Sequence, residues 1–291
     1  MTDTDSAILL AGELARDYLI SFFFDMGVSV SPSHSERYTI HLSQGGYPFA
    51  SRSFLVGPTN VSAAYQQHIA TQLELAHIQD AADAADAAVR IVAFQTKLAQ
   101  VAMTPEEMRV PEKVNHEVRA GTARCACAAA LDRGLTQVRL FVCQMPLSSI
   151  VSSTGLALDD YLRLAFSNAS LSSELQVNVA QPRQLAALGT LMRNSPASTL
   201  RDVMRWTALL SFASDLSEPI AAERFRFFGT KISGTPQQPP LWKRCQTKML
   251  SSMVKNKKQG QQQCLQLCSV KRCKLTDGGA STFMLTFSLM P

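Results

Sequence analysis

Histidines next to acids are weighed first, because an imidazole and a carboxylate together can hold zinc or move a proton. The chain has five histidines, and only His116 is followed directly by a glutamate, Glu117. A helical zinc site of that type needs a second histidine at i+4, so that both rings reach one ion while the glutamate works as base on the bound water. That position is Ala120, so the pair lacks a ligand and reads as an ordinary solvated pair. His68 and His77 fall on one expected helix but nine residues apart, too far to share a metal across adjacent turns. His34 and His41 belong to a loop and a strand, and none of these has a triad partner recognisable in the sequence. No residue is assigned as catalytic, cofactor-binding or metal-binding.

The remaining polar clusters are weaker still. Cys264, Cys268 and Cys273 are spaced somewhat like a zinc-binding tail but have no fourth ligand downstream, and Cys125-Ala126-Cys127 is too tight for a zinc knuckle. The Asp-Ala-Ala repeat through Asp80, Asp83 and Asp86 offers carboxylates without carbonyl or turn ligands for a cation. It is expected to be a solvated helix face, with its negative charge near the N-terminus where the helix dipole favours it. From Trp242 onward nine Lys or Arg stand against one acid, Asp277. The net charge of +5 therefore belongs to the tail and leaves residues 1–241 at about −3. No aromatic residue lies between Lys243 and Lys274 to stack a base. The tail is expected to be solvated and disordered, not a specific nucleic-acid binder.

Composition sets the frame that must position any site. In 291 residues, 46% are apolar and 18% charged, which is globular composition and enough for one large or two ordinary domains. No run approaches the ~18 uninterrupted apolar residues of a membrane span. The start, Met1-Thr2-Asp3-Thr4-Asp5, is acidic where a secretory leader would be basic, so neither a leader nor a membrane segment is expected. An odd count of seven cysteines argues against a disulfide framework.

Periodicity predicts helices over 7–24, running into Phe22-Phe23-Phe24, and over 62–77. Ile91, Phe94, Leu98 and Val101 form a core-facing stripe on another. Tyr38, Ile40 and Leu42 alternate with polar residues as in a strand, closed by Gly45-Gly46. Thr104-Pro105-Glu106-Glu107 carries a capping box with proline at the first helical position. Further helices are expected over 156–165, from Pro182 to Met192, from a Ser198 or Thr199 cap to about Ala213, and from Glu218-Pro219 to Phe228-Gly229. Val177 and Val179 suggest a short extended piece, and Val138, Leu140 and Val142 another in the otherwise irregular stretch 119–150.

Three stretches resemble the N-terminal region of the neprilysin and endothelin-converting-enzyme family of zinc metallopeptidases. They are Arg37-Tyr38-Thr39-Ile40-His41-Leu42-Ser43-Gln44-Gly45-Gly46; Phe94 to Ala99 continuing through Thr104-Pro105-Glu106-Glu107 to Pro111-Glu112-Lys113; and Phe228-Gly229-Thr230-Lys231-Ile232-Ser233-Gly234-Thr235 followed by Pro240-Leu241-Trp242-Lys243-Arg244-Cys245. The resemblance implies a mainly α, multi-helical capping-lobe domain with one small β element, over residues 1–245 with 119–150 atypical. A low-complexity basic tail, disordered, follows over 246–291. It also implies that the lobe encloses peptides while another lobe supplies the zinc chemistry. The cysteine equivalent to Cys245 is expected to pair in secreted relatives. Neither the zinc motif nor the family's Asn-Ala substrate strand occurs here, so the chain is expected to be a non-catalytic, poorly stable part of a metalloendopeptidase, with no cofactor of its own. Its expected partners are peptides or the missing catalytic lobe. The alternative is a truncated peptide- or protein-binding module that pairs with a full-length relative.

Overall fold

Asp3 begins the first helix: its carboxylate accepts a hydrogen bond from the Ser6 N–H at 2.8 Å, and α1 (Thr4–Tyr18) buries the small stripe Ala7, Ile8, Ala11, Gly12 and Ala15. The computed structural model describes residues 3–30, 36, 38–57, 61–110, 144–167 and 175–247. The His116-Glu117 pair, His34, the run Val138, Leu140 and Val142, every cysteine but Cys245, and the tail from residue 248 on lie outside the described residues.

The expected helix over 7–24 is cut short. Leu19 turns left-handed at φ 57°, its N–H closing on the Ala15 carbonyl at 3.0 Å. Three consecutive phenylalanines explain why. On a helix they would point about 100° apart, whereas here the chain bends at Phe22 and Phe23 before entering a strand at Phe24, and all three rings are buried. Phe23 meets Phe94 at 6.3 Å and Phe24 meets Tyr161 at 5.0 Å between ring centroids. Phe24 already belongs to β1 (Phe24–Val30).

β1 pairs antiparallel with β2 (Tyr38–Gln44), the strand read from sequence. β2 lies parallel to β4 (Gln176–Val179), which pairs antiparallel with β3 (Gln144–Pro146), giving the order β1-β2-β4-β3. The parallel contact needs a long crossover, because neighbouring parallel strands cannot be joined by a hairpin. Helices fill that crossover. After the single turn α2 (Ser53–Val56), α3 (Val61–Leu75) packs along α4 (Ala81–Val101). Ile91, Phe94 and Leu98 are buried as their spacing requires, but Val101, at the helix end, is 44% exposed. Asp80, Asp83 and Asp86 face solvent while Ala84, Ala87 and Ala88 pack inside.

The capping box forms as read. Thr104 accepts from the Glu107 N–H and Glu107 accepts from the Thr104 N–H, yet α5 (Pro105–Met108) is a single turn. Beyond β3 come α6 (Leu147–Thr154), which periodicity did not reveal, and α7 (Leu158–Ala165), which packs on α1. α8 (Pro182–Arg193) follows β4. α9 (Ala197–Phe212) is preceded by Pro196, not capped by Ser198 or Thr199; Thr199 is 8% exposed inside the first turn. A fixed φ of −58° at Pro196 pre-sets the entry without a side-chain cap. α10 (Glu218–Arg224) runs directly into a wider π-helical segment, Phe225–Ile232. No helix among the described residues is long and apolar enough to cross a membrane. The protein is thus mainly helical around one small sheet.

Candidate functional site

Helical spacing on α3 puts Tyr65, His68 and Gln72 on one buried face, where α4, α9, α10 and the π segment converge. Trp206 Nε1 donates to Tyr65 Oη at 2.8 Å, and that hydroxyl donates to Gln95 Oε1 at 2.9 Å. Gln72 Nε2 donates to the Ile220 carbonyl at 2.8 Å. His68, fully buried, lies 2.9 Å through Nδ1 from Glu223 Oε1. Arg226 grips both oxygens of the same carboxylate at 2.6 and 2.7 Å.

Charge assignments follow from these contacts. Burial lowers the His68 pKa, only partly offset by Glu223, so the ring is neutral. Burial pushes Glu223 the other way, but hydrogen bonds from Arg226 and His68 outweigh it, and its carboxyl titrates below the usual range. A neutral ring beside a carboxylate donates through Nδ1–H. The Nε2 lone pair then has no partner, in a layer where the ring stacks on Phe227 at 4.7 Å and 10° and meets the edges of Trp206 and Phe228. A histidine oriented by a carboxylate has the form of a general base. Here the basic nitrogen is sealed among aromatic rings, so the pair serves packing.

The other histidines are placed equally clearly. His77 sits left-handed at φ 52° just past α3, where the Ile78 N–H reaches back to the Leu73 carbonyl at 3.1 Å; it ends a helix, and its ring is exposed. His41 faces Asn178 across β2 and β4, with Asn178 Nδ2 2.9 Å from His41 Nδ1. Burial lowers its pKa as well. Cys245 is exposed and has no disulfide partner among the described residues.

Next to the sealed cluster lies a cavity of about 300 Å³ between the Gly45-Gly46 turn, the start of β1, and α9 with Arg224. The turn is held by Gln44. Its side chain accepts from the Met103 N–H at 2.9 Å and donates to the Met103 carbonyl at 3.2 Å, while its own N–H donates to Gln181 Oε1. Gly46 has φ +83°, and a Cβ there would stand 2.7 Å from Leu98 Cδ2 and 2.8 Å from the Phe23 carbonyl oxygen. A side chain is excluded on both counts, so the glycine pair is needed to bring the turn against β1. Asp25 and Arg224 both line the cavity. Burial raises the Asp25 pKa, with a Ser21 hydrogen bond working against it. Burial lowers that of Arg224. Sequence reasoning missed His68–Glu223, 155 residues apart, and also the cavity; nothing in local spacing signals either.

A helical lobe with one four-stranded mixed sheet, a sealed aromatic–polar centre and a Gly-Gly turn defines the class, and sequence comparison gives the family. The profile of the N-terminal region of peptidase family M13 matches residues 2–256. The chain belongs to peptidase family M13, which bears out the resemblance to neprilysin-like peptidases. No curated protein sequence matches it. Among solved structures, it is similar to the zinc metalloprotease Zmp1 of Mycobacterium tuberculosis in its open state, with TM-score 0.71 and 19% identity over 94% of this chain and 37% of that one. The inhibitor complex of Zmp1 gives TM-score 0.69 and 21% identity over 88% and 34%. PepO of Lactobacillus rhamnosis gives 0.59 and 15% over 82% and 33%. The chain therefore spans about a third of the length of these proteins.

Zinc in those relatives raises the question of whether residues here fit it. They do not: among the described residues no three His, Cys, Asp or Glu side chains come together. The nearest approach, His68 with Glu223, has its carboxylate taken by Arg226 and its free nitrogen enclosed by rings.

Proposed function

We propose that this region encloses peptide substrates as the capping part of a zinc metalloendopeptidase, with the cutting residues lying outside those described here. The observation that carries the reading is the family match over residues 2–256 on a fold like the Zmp1 open state. The inward histidine–carboxylate pair supports it by being closed to substrate. The test is the purified chain with added zinc, assayed on fluorogenic peptides and, in parallel, by anisotropy with labelled peptides. Peptide binding without cleavage is expected. Chelator-sensitive cleavage would move the chemistry into this chain, and failure to bind any peptide would overturn the enclosing role.

A second reading, pairing with the catalytic lobe of a full-length relative, is favoured by one surface. Tyr18 and Phe212 meet edge to face at 6.0 Å while 57% and 37% exposed, and Leu19, the next residue in the chain, is 52% exposed. Against it, Leu185, Leu188 and Met192 of α8 and Leu200, Val203, Met204, Trp206 and Leu209 of α9 are already buried by this chain itself. Sedimentation of the chain mixed with an intact family member decides it: a Tyr18→Ser/Phe212→Ser double variant should abolish any co-sedimentation.

A further inference from the structure

We propose that the cavity beside the sealed cluster binds a small zwitterion, an amino acid or dipeptide, its carboxylate on Arg224 and its ammonium on the wall formed by Asp25, Ser21, Thr207 and Ser211. The inference stands on the cavity and does not depend on the enclosing role.

The guanidinium supplies one pole. Arg224 Nε is buried with no hydrogen-bond partner, and among the described residues the side chain makes no ion pair; its group lies 5.6 Å from the centroid of the Phe228 ring. Arginine keeps its charge even when partly desolvated, and Arg224 is half-buried, so a counter-charge would offset the cost of its lost hydration. A carboxylate matches its fork of donors.

Other polar side chains at the cavity accept. The Thr207 hydroxyl donates to the Val203 carbonyl at 2.9 Å and the Ser211 hydroxyl to the Thr207 carbonyl at 2.8 Å. With their hydrogens committed, both oxygens are left as acceptors at the cavity. Asp25, hydrogen-bonded to Ser21, adds a carboxyl whose ionised form burial disfavours. A ligand ammonium would restore that form. Tyr47, Pro48 and Leu210 also line the cavity and suit an apolar side chain. A volume of about 300 Å³ is at the small end of ligand pockets, which fits one or two residues and excludes a longer peptide.

The experiment is titration calorimetry of the whole chain with free leucine, phenylalanine and their dipeptides, against the N-acetyl and C-amide forms. Free zwitterions should bind, and blocking either end should weaken binding at least about tenfold. Arg224→Gln should abolish binding and Asp25→Asn should weaken it. Because either change could disturb folding, Leu210→Trp, which fills the cavity from α9, serves as a second variant: it should abolish binding with an unchanged or raised melting temperature. No binding of any zwitterion by the wild-type chain, equal binding of the blocked forms, or full binding by Leu210→Trp would each overturn the proposal.

Discussion

Two polar clusters sit side by side in this lobe and differ in how their hydrogen bonds close. Around His68 the charged and hydroxyl groups are met within the chain, Glu223 by His68 and Arg226 and Tyr65 by Trp206 and Gln95, and Gln72 Nε2 is met by the Ile220 carbonyl, while His68 Nε2 and Gln72 Oε1 are left without a hydrogen bond among the described residues. Around the cavity, among the described residues, Arg224 makes no ion pair and its Nε has no hydrogen-bond partner, and Asp25 is hydrogen-bonded to Ser21. A satisfied network rigidifies and specifies a core, whereas an unsatisfied one carries a standing cost that a ligand can relieve. The more catalytic-looking pair is thus the structural one, and the less conspicuous arginine is the proposed binding group.

The largest effect expected from breaking the comparison comes at Trp206, which is fully buried and touches both regions. Trp206→Ala should cost about 3–5 kcal/mol of unfolding free energy in urea melts, through the cavity left behind and the lost indole hydrogen bond to Tyr65. A smaller loss is expected at the turn. Gly46→Ala forces a side chain into positive φ against Leu98 and the Phe23 carbonyl, and should cost about 1–3 kcal/mol, read by the same melts.

The pH dependence separates the clusters more finely. The unfolded chain protonates a histidine near 6.5, while folded His68 does so only at lower pH. Its contribution is therefore complete above 6.5 and is lost as pH falls towards the folded value. Asp25 works in reverse. Its folded pKa lies above the 3.8 of the unfolded chain, so its contribution is greatest below 3.8 and declines as pH rises through the raised value. Asp25→Asn should remove that decline and His68→Gln should flatten the acid limb; urea melts across this range check both.

Local signals in the sequence carried much of the fold. The capping box at Thr104, the strand ending at Gly45-Gly46 and the stripe of Ile91, Phe94 and Leu98 each rest on contacts within a few residues, and each is present. The first helix was overextended because apolar periodicity continues into Phe22-Phe23-Phe24, and only tertiary packing shows that burying these rings takes a bend leading into a strand. Absence of a complete His-Glu-x-x-His pattern was legible from spacing alone. The His68–Glu223 pair was not, because its partners meet only when α3 packs on α10. Arg224 could not be told in sequence from Arg226 two residues later. One is half-buried at a cavity, while the other is 62% exposed and clamps Glu223.

The most direct test is to measure unfolding free energy for Glu223→Gln and Arg224→Met side by side. Glu223→Gln should lose about 1–3 kcal/mol, since it breaks charged hydrogen bonds in a closed network. Arg224→Met should be neutral to within about 0.5 kcal/mol or stabilising, since it removes a half-buried cation that makes no ion pair among the described residues while keeping the apolar stem. If Arg224→Met destabilises as much as Glu223→Gln, both clusters are structural and the distinction between a sealed core and an open site is wrong.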